Sequence, residues 1–576
     1  MTSDVGRSTQ PNIYDVVVIG TGAGGMSAAI TARSLGLNVL VVEKEPVYGG
    51  TTARAGGGLW IPGNAYAAAA GIIDSSDAAR KYIEQSTGNR FEPARVDAFL
   101  RYGPEMLDFF EHKTELHFML APGYPDYHPD DAGAMRGGRT VFPLPFDASI
   151  LGKELYKLGR PIKELTFLGM HIGSGRDLVH FFNVTTSARS AAFVVRKLLN
   201  HFLDVLIHRR ATHLSNGMAL VARLLKTAMD LGIPIWTSSR AASLITRNGR
   251  VVGVKVERRG QLVELGARRG VVLACGGFPH DIDRKRQFYN HAPTGREHWS
   301  AAPLGNTGDG LRMAEAVGAT VKDNLSNAGA WAPVSLVPRR SGEPGVFPHF
   351  MDRQKPGRIA VTRAGKRFTN EADSYHDFVQ AMVRACEEQD EVCAFLITDY
   401  HSLRRYGMGA ARPRPVPYGH LLRSGYLVRG NTIAELAERA GIDADQLTRT
   451  VEAFNSAARR GEDPMFGRGR NAYNLYFGDP EQKPNPCVGP IERSPFFALK
   501  LVPGDLGTFA GLQTDEKARV VDRAGRPIAG LYAAGNDLAS IFAGDYPGGG
   551  STLGPGMTFG YIAGRDLAES DGTTGI

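Results

Sequence analysis

The chain has 576 residues, 43% hydrophobic and 22% charged, a composition ordinary for a soluble globular protein and a length sufficient for more than one core. Its net charge of +8 comes from scattered groups such as His208-Arg209-Arg210 and Arg404-Arg405, with no nucleic-acid-binding module beside them, so no nucleic-acid partner is expected. Cys275, Cys386, Cys393 and Cys487 form no CxxC pair, no covalent-haem sequence and no metal-ligand spacing, so no metal is expected and a reducing compartment fits.

The first residues are polar with no apolar signal-peptide core, and nothing approaches a bilayer-length apolar run, so a cytoplasmic protein is expected. Asp15-Val16-Val17-Val18-Ile19 predicts a buried parallel strand, residues 26–35 an Ala-rich helix, and Val39-Leu40-Val41-Val42 a second strand that ends in Glu43. Together these make one βαβ unit. Residues 149–214 form an extra helical segment, in which Val195, Leu198, Leu199, Phe202 and Leu206 recur at helical spacing opposite Arg196, Lys197, Asn200, His201 and Asp204. Such a helix ordinarily covers a core, and the basic end at His208-Arg209-Arg210 leaves peripheral membrane contact as the second reading. Further strands are predicted at 251–256 and 270–274, and helices at 433–440 and 444–458, with a proline-rich loop at 412–417.

Gly20-Thr21-Gly22-Ala23-Gly24-Gly25 is a GxGxxG sequence placed directly between the first strand and its helix. The first glycine permits the tight turn, the second lets a pyrophosphate approach the backbone, and the third, Gly25, lets the helix pack closely. Free amides at the helix start favour that anion, and Glu43 at the end of the next strand suits the ribose hydroxyls. NAD and FAD share this fingerprint. The 70 glycines are an excess, read as loops around a large cofactor.

Gly49-Gly50-Thr51-Thr52, Asn306-Thr307-Gly308-Asp309-Gly310 and Gly530-Leu531-Tyr532-Ala533-Ala534-Gly535-Asn536 resemble the flavin-contacting segments of the fumarate reductase-like flavoprotein superfamily. The resemblance implies non-covalent FAD, held by Gly20, Gly22, Ala23, Gly24, Gly25, Glu43, Lys44, Gly50, Thr51, Thr52, Gly57, Gly58, Gly277, Asp309, Gly535, Asn536, Thr552 and Leu553. Because these motifs flank 328–489, that stretch is expected to be an inserted cap. The predicted architecture is α/β, with a Rossmann-type FAD-binding domain (1–327 and 490–576) and an inserted α+β catalytic cap domain (328–489).

Near the C-terminus, Asp545-Tyr546-Pro547-Gly548-Gly549-Gly550 offers a phenol and, four residues on, a bare amide; converging, the two can hold a ketone oxygen and stabilise an enolate. The segment is similar to that of the 3-ketosteroid Δ1-dehydrogenases, as is Gly365-Lys366-Arg367-Phe368-Thr369-Asn370-Glu371-Ala372-Asp373-Ser374-Tyr375. The resemblance implies that Tyr546 and Gly550 bind the C3 ketone and Tyr375 takes the C2 proton. A supporting tyrosine is expected from Tyr124-Pro125-Asp126-Tyr127-His128, with Tyr127 the first choice and Tyr124 the second. The implied substrate is a 3-ketosteroid or similar fused-ring ketone, and the electron acceptor is not specified. Three alternatives stand beside this one: a Δ4-(5α)-ketosteroid dehydrogenase, a fumarate reductase using Arg358, Arg367, His349 or His376, and a catalytically silent, membrane-docked flavin-binding protein.

Overall fold

The computed structural model describes residues 12–170, 180–181, 183–185 and 187–570; the polar N-terminus and part of the 149–214 segment lie outside them. The β-branched run becomes the strand Asn12–Ile19, in which Val16, Val17 and Val18 are fully buried. Both of its faces are covered, which is why its sequence shows no polar alternation. Each such valine contributes about 2 kcal/mol by leaving water. The strand pairs in parallel with Val39–Val42, Val16 opposite Val39, and with Gln261–Leu273 on its other side.

This sheet has eight strands. It continues past Gln261–Leu273 to Pro527–Ala533 and Arg519–Val521, and past Val39–Val42 to Ile235–Trp236. Arg250–Arg258 joins it antiparallel to Gln261–Leu273, and Ser239–Arg247 antiparallel to Arg250–Arg258. The helix Ala23–Ser34 starts so close to the strand it leaves that a Cβ on Gly25 would lie 2.3 Å from the Gly20 carbonyl oxygen. The C-terminal helix Leu553–Glu569 packs against it, and Ser27 Oγ donates to the Met557 carbonyl at 2.7 Å. Both ends of the described chain therefore build one wall.

A second sheet is antiparallel, in the order Arg358–Val361, Ala394–Asp399, Phe496–Leu501, Val428–Gly430. The helices Ile433–Ala440 and Ala444–Ala458 bury Leu436, Leu447 and Phe454 against Ile359, Val361, Phe395 and Ile397 of this sheet. The strand Phe496–Leu501 lies past residue 489, where the sequence places the end of the cap. Its alternate side chains fill two clusters: Phe496 and Ala498 pack with Ile359, Val361 and Ile397, while Phe497, Leu499 and Leu501 join the larger core. The fold is the mixed α/β class expected.

The helix Ala188–His208 departs from the core-covering expectation. Ser190, Val194 and His201 are its buried residues, while Leu199, Phe202, Leu206 and Ile207 are 59%, 53%, 79% and 68% exposed.

Candidate active site

A cavity of about 1230 Å³ runs from the glycine loop at 20–25 to a cluster of tyrosines. Three segments distant in sequence supply those rings. The first is the loop 124–129, pinned by Asp126, whose carboxylate accepts from Trp60 Nε1 at 2.8 Å and from the buried Arg139 at 2.7 Å. The next residue, Tyr127, donates its backbone N–H to the Pro547 carbonyl at 2.9 Å and so ties this loop to the C-terminal segment.

The second is the helix Tyr375–Ala385, whose start is set by Ser374, the hydroxyl of which accepts from the Asp377 N–H. Each residue of its opening is tied to another segment. The Tyr375 hydroxyl accepts from Tyr127 at 2.9 Å, His376 Nε2 meets the Gly544 carbonyl at 3.1 Å, and Asp377 meets His128 Nε2 at 2.9 Å. The Trp331 N–H donates to His376 Nδ1, so the other ring nitrogen is the donor to Gly544, and burial keeps this ring neutral with a pKa lowered to about 4.

The third is the turn carrying Tyr546. Its ring stacks on Tyr127, with centroids 5.4 Å apart, and meets Tyr375 edge-on at 5.3 Å. Burial pushes all three phenols above their ordinary range, Tyr127 and Tyr375 well above it. Burial therefore favours the neutral phenol at Tyr546, which can donate a hydrogen bond. For Tyr375 the hydrogen bond from Tyr127 opposes burial and favours the phenolate. Four residues on, Gly550 has φ +107°, and a Cβ there would lie 2.5 Å from the Gly58 backbone. Only glycine brings this backbone to the cavity wall.

Every residue expected to contact FAD lies on the wall of this cavity except Gly277; so do Tyr124, Tyr127, Tyr375, Tyr546 and Gly550. Gly276 lines the wall in place of Gly277, whose N–H donates to Asp537 at 2.9 Å. Lys44 and Asp309 pair at 2.7 Å. Glu43 accepts from Thr21 and from the Glu45 N–H, bonds that oppose the upward push of burial on its carboxyl. Arg358, Arg367, His349 and His376 are absent from the described wall. Arg367 is held by Glu371 and Asp463, and Arg358 by Ser402 and backbone carbonyls.

Sequence reasoning missed several neighbours. Tyr473 lies 4.9 Å from Tyr127, Phe350 lies 5.2 Å from Tyr375, and Phe509 lies 5.8 Å from Tyr546, centroid to centroid. None of them belongs to a motif. Asp537 was within reach, since it directly follows Gly535-Asn536.

The glycine-rich end fits a dinucleotide. Gly22 opens the helix Ala23–Ser34 with no capping side chain of its own and no acidic residue in the first turn; the Ala23 N–H donates to Thr52 Oγ1 at 2.9 Å, and Gly22, Gly24 and Gly25 line the cavity at a helix start suited to a pyrophosphate. The FAD binding domain family matches residues 15–553, and the chain belongs to it: an FAD-dependent oxidoreductase acting on CH–CH bonds. The chain is 41% identical, over 96% of its length and 94% of the relative, to the 4-oxocyclohex-2-ene-1-carboxylate 5-dehydrogenase of Sinomonas cyclohexanicum. It is 39% identical to the 3-oxosteroid 1-dehydrogenase of Mycolicibacterium smegmatis, over 97% of each chain. Its fold matches that of the 3-ketosteroid Δ1-dehydrogenase from Sterolibacterium denitrificans in complex with 1,4-androstadiene-3,17-dione, with a TM-score of 0.89, 37% identity, and coverage of 97% of this chain and 100% of that one. It is thus a dehydrogenase of the 3-oxosteroid dehydrogenase and fumarate reductase group of flavoproteins.

Proposed function

We propose that the protein introduces a double bond next to the carbonyl of a ring ketone, of the 3-ketosteroid type or a monocyclic counterpart, by removing hydrogens from the α and β carbons. The observation that carries this reading is the convergence of Tyr127, Tyr375 and Tyr546 at one end of a cavity whose other end is a dinucleotide cradle. The Tyr546 hydroxyl and the Gly550 amide grip the ketone oxygen. One such donor lowers the barrier by about 3 kcal/mol, because charge builds on that oxygen as the α proton leaves. Tyr375 takes that proton, and the Tyr127 hydroxyl steadies the oxygen that receives it. FAD, when bound without covalent attachment, supplies the acceptor for the hydride of the β carbon. The aromatic wall excludes water from the enolate.

The commitments of Arg358 and Arg367 within the cap favour this reading over a dicarboxylate reductase, which needs cations facing its substrate. The test is product analysis: with an artificial electron acceptor, a 3-ketosteroid or an oxocyclohexane is expected to yield a conjugated enone two hydrogens lighter. A panel of such ketones left wholly unchanged by the FAD-loaded protein refutes the reading.

We also propose that the outward apolar row of the helix Ala188–His208 rests on an anionic lipid surface. Leu199, Phe202 and Leu206 provide the apolar contact, and Arg189, Arg196 and Arg209 the complementary charge. Among the described residues no helix is long and apolar enough to cross a membrane.

A further inference from the structure

Three tyrosines trace the cavity wall from its buried end toward solvent. Tyr127, bonded to Tyr375, is buried, and Tyr124, earlier on the same loop, lies against Gly549 on the wall. Tyr476, from the helix Ala472–Phe477, packs on Tyr124 with ring centroids 5.4 Å apart. It is 46% exposed yet still lines the cavity, as does Met119, 40% exposed, at the end of the strand that leads into the Tyr124 loop. Side chains that face cavity and solvent at once mark its mouth.

The two lips of this mouth come from segments far apart in sequence. On one side the helix Ala472–Phe477 is fixed by the buried Asn474, which accepts from Asn370 at 2.9 Å and donates to Asp373 at 3.0 Å, so the lip is tied to the segment that carries Tyr375. On the other side stands Gly123, where a Cβ would rest 3.6 Å from Tyr476 Cε2. The ring of Tyr476 thus bridges the gap. It also packs on Phe477, centroids 4.9 Å apart, and among the described residues none hydrogen-bonds its hydroxyl. Packing alone holds the ring across the opening.

We propose that Tyr476, closing against Gly123, limits the length of the ring ketone the cavity accepts by covering the end of the substrate remote from its carbonyl. The inference rests on the ring-ketone reading above and adds to it a residue that selects among such ketones by size. With the carbonyl held at the buried Tyr546, a rigid ring system has to extend along the wall, past Tyr124, toward Tyr476. A ketone that ends beneath the ring of Tyr476 gains an apolar cover from it. One that reaches farther has to push the ring off Tyr124 and Phe477 and loses both aromatic contacts.

The test is calorimetric titration of the FAD-loaded protein with 4-methylphenol and 4-octylphenol, which share a head for the ketone-gripping group and differ in the length of the tail. Tyr476→Ala is expected to shift the ratio of the two dissociation constants at least about tenfold in favour of the long phenol, the scale of two lost ring contacts. Tyr476→Phe keeps the ring and is expected to keep the wild-type ratio. A ratio in Tyr476→Ala within about twofold of wild type overturns the proposal, as does an equal shift in Tyr476→Phe. If Tyr476→Ala does not retain FAD, Tyr476→Leu, which keeps an apolar side chain on Phe477 without the reach to Gly123, is held to the same criterion. Turnover of 4-methylcyclohexanone and 4-octylcyclohexanone separates the two claims. Oxidation of these ketones with a ratio of kcat/KM that Tyr476→Ala leaves unmoved removes the size limit and keeps the reaction, whereas oxidation of neither, with the shift in phenol binding present, removes the reaction and keeps the size limit.

Discussion

The Tyr127 hydroxyl donates to the Tyr375 hydroxyl at 2.9 Å, across 248 positions of sequence. That direction matters, because an oxygen already accepting a hydrogen bond carries negative charge at lower cost. Burial drives Tyr375 well above its ordinary range, and Tyr127 opposes this. Tyr375→Phe is therefore expected to lower turnover by about 10²–10⁴-fold, the range for loss of a general base. Tyr127→Phe is expected to cost less. Single-turnover kinetics with equal FAD content in each variant checks both.

Under the proposed function, Tyr546→Phe removes the side-chain donor to the ketone oxygen. The expected loss is about 10²–10³-fold in turnover, with FAD retained. A rate within about threefold of wild type, with KM unchanged, removes Tyr546 from the oxyanion site.

Gly550→Ala strains the backbone at φ +107° and drives a methyl to 2.5 Å from Gly58. Its effect should exceed that of any side-chain loss nearby, because both the amide and the Gly58 segment move. Lowered FAD occupancy together with lowered turnover is the expected outcome, read from the flavin-to-protein absorbance ratio.

His128 and Asp377 form an ion pair whose side chains are 30% and 29% exposed. Burial lowers His128, but Asp377 outweighs it and raises the ring from 6.5 to about 9. A raised histidine stabilises the fold fully below its ordinary pKa, and that contribution is lost as pH climbs through the folded value. Melting temperature is therefore expected to fall between pH 6.5 and about 9, and His128→Gln to flatten that part of the profile. Because the pair joins the Tyr127 loop to the Tyr375 helix, His128→Ala is expected to lower turnover more than His128→Gln does.

Leu199→Glu with Leu206→Glu places charge on the outward row of the helix Ala188–His208. Co-flotation with vesicles containing phosphatidylserine is expected for the wild type and not for this variant, with turnover of a water-soluble ketone unchanged.

Much of this arrangement is legible in the amino-acid sequence because local rules produced it. Val16, Val17 and Val18 announce a strand buried on both faces, and Gly25 a helix that must approach the strand it leaves. The segments bearing Tyr127, Tyr375 and Tyr546 are recognisable by resemblance. Other parts are set by partners far along the chain. Phe496–Leu501 pairs with Ala394–Asp399 while its two faces fill two different cores, which no local pattern reveals. Tyr473 and Lys355 reach the cavity from segments that carry no motif. The helix Ala188–His208 has the apolar periodicity of a core element, and periodicity alone does not say which way that face points.

The central claim is that ring ketones surrender hydrogen here. Anaerobic mixing of the oxidised, FAD-loaded protein with 4-oxocyclohexanecarboxylate or androst-4-ene-3,17-dione tests it most directly. Loss of the yellow flavin absorbance in the wild type, and its persistence in Tyr375→Phe, is the predicted result. A flavin untouched by either ketone, whose reduced form is instead reoxidised by fumarate, would contradict the account.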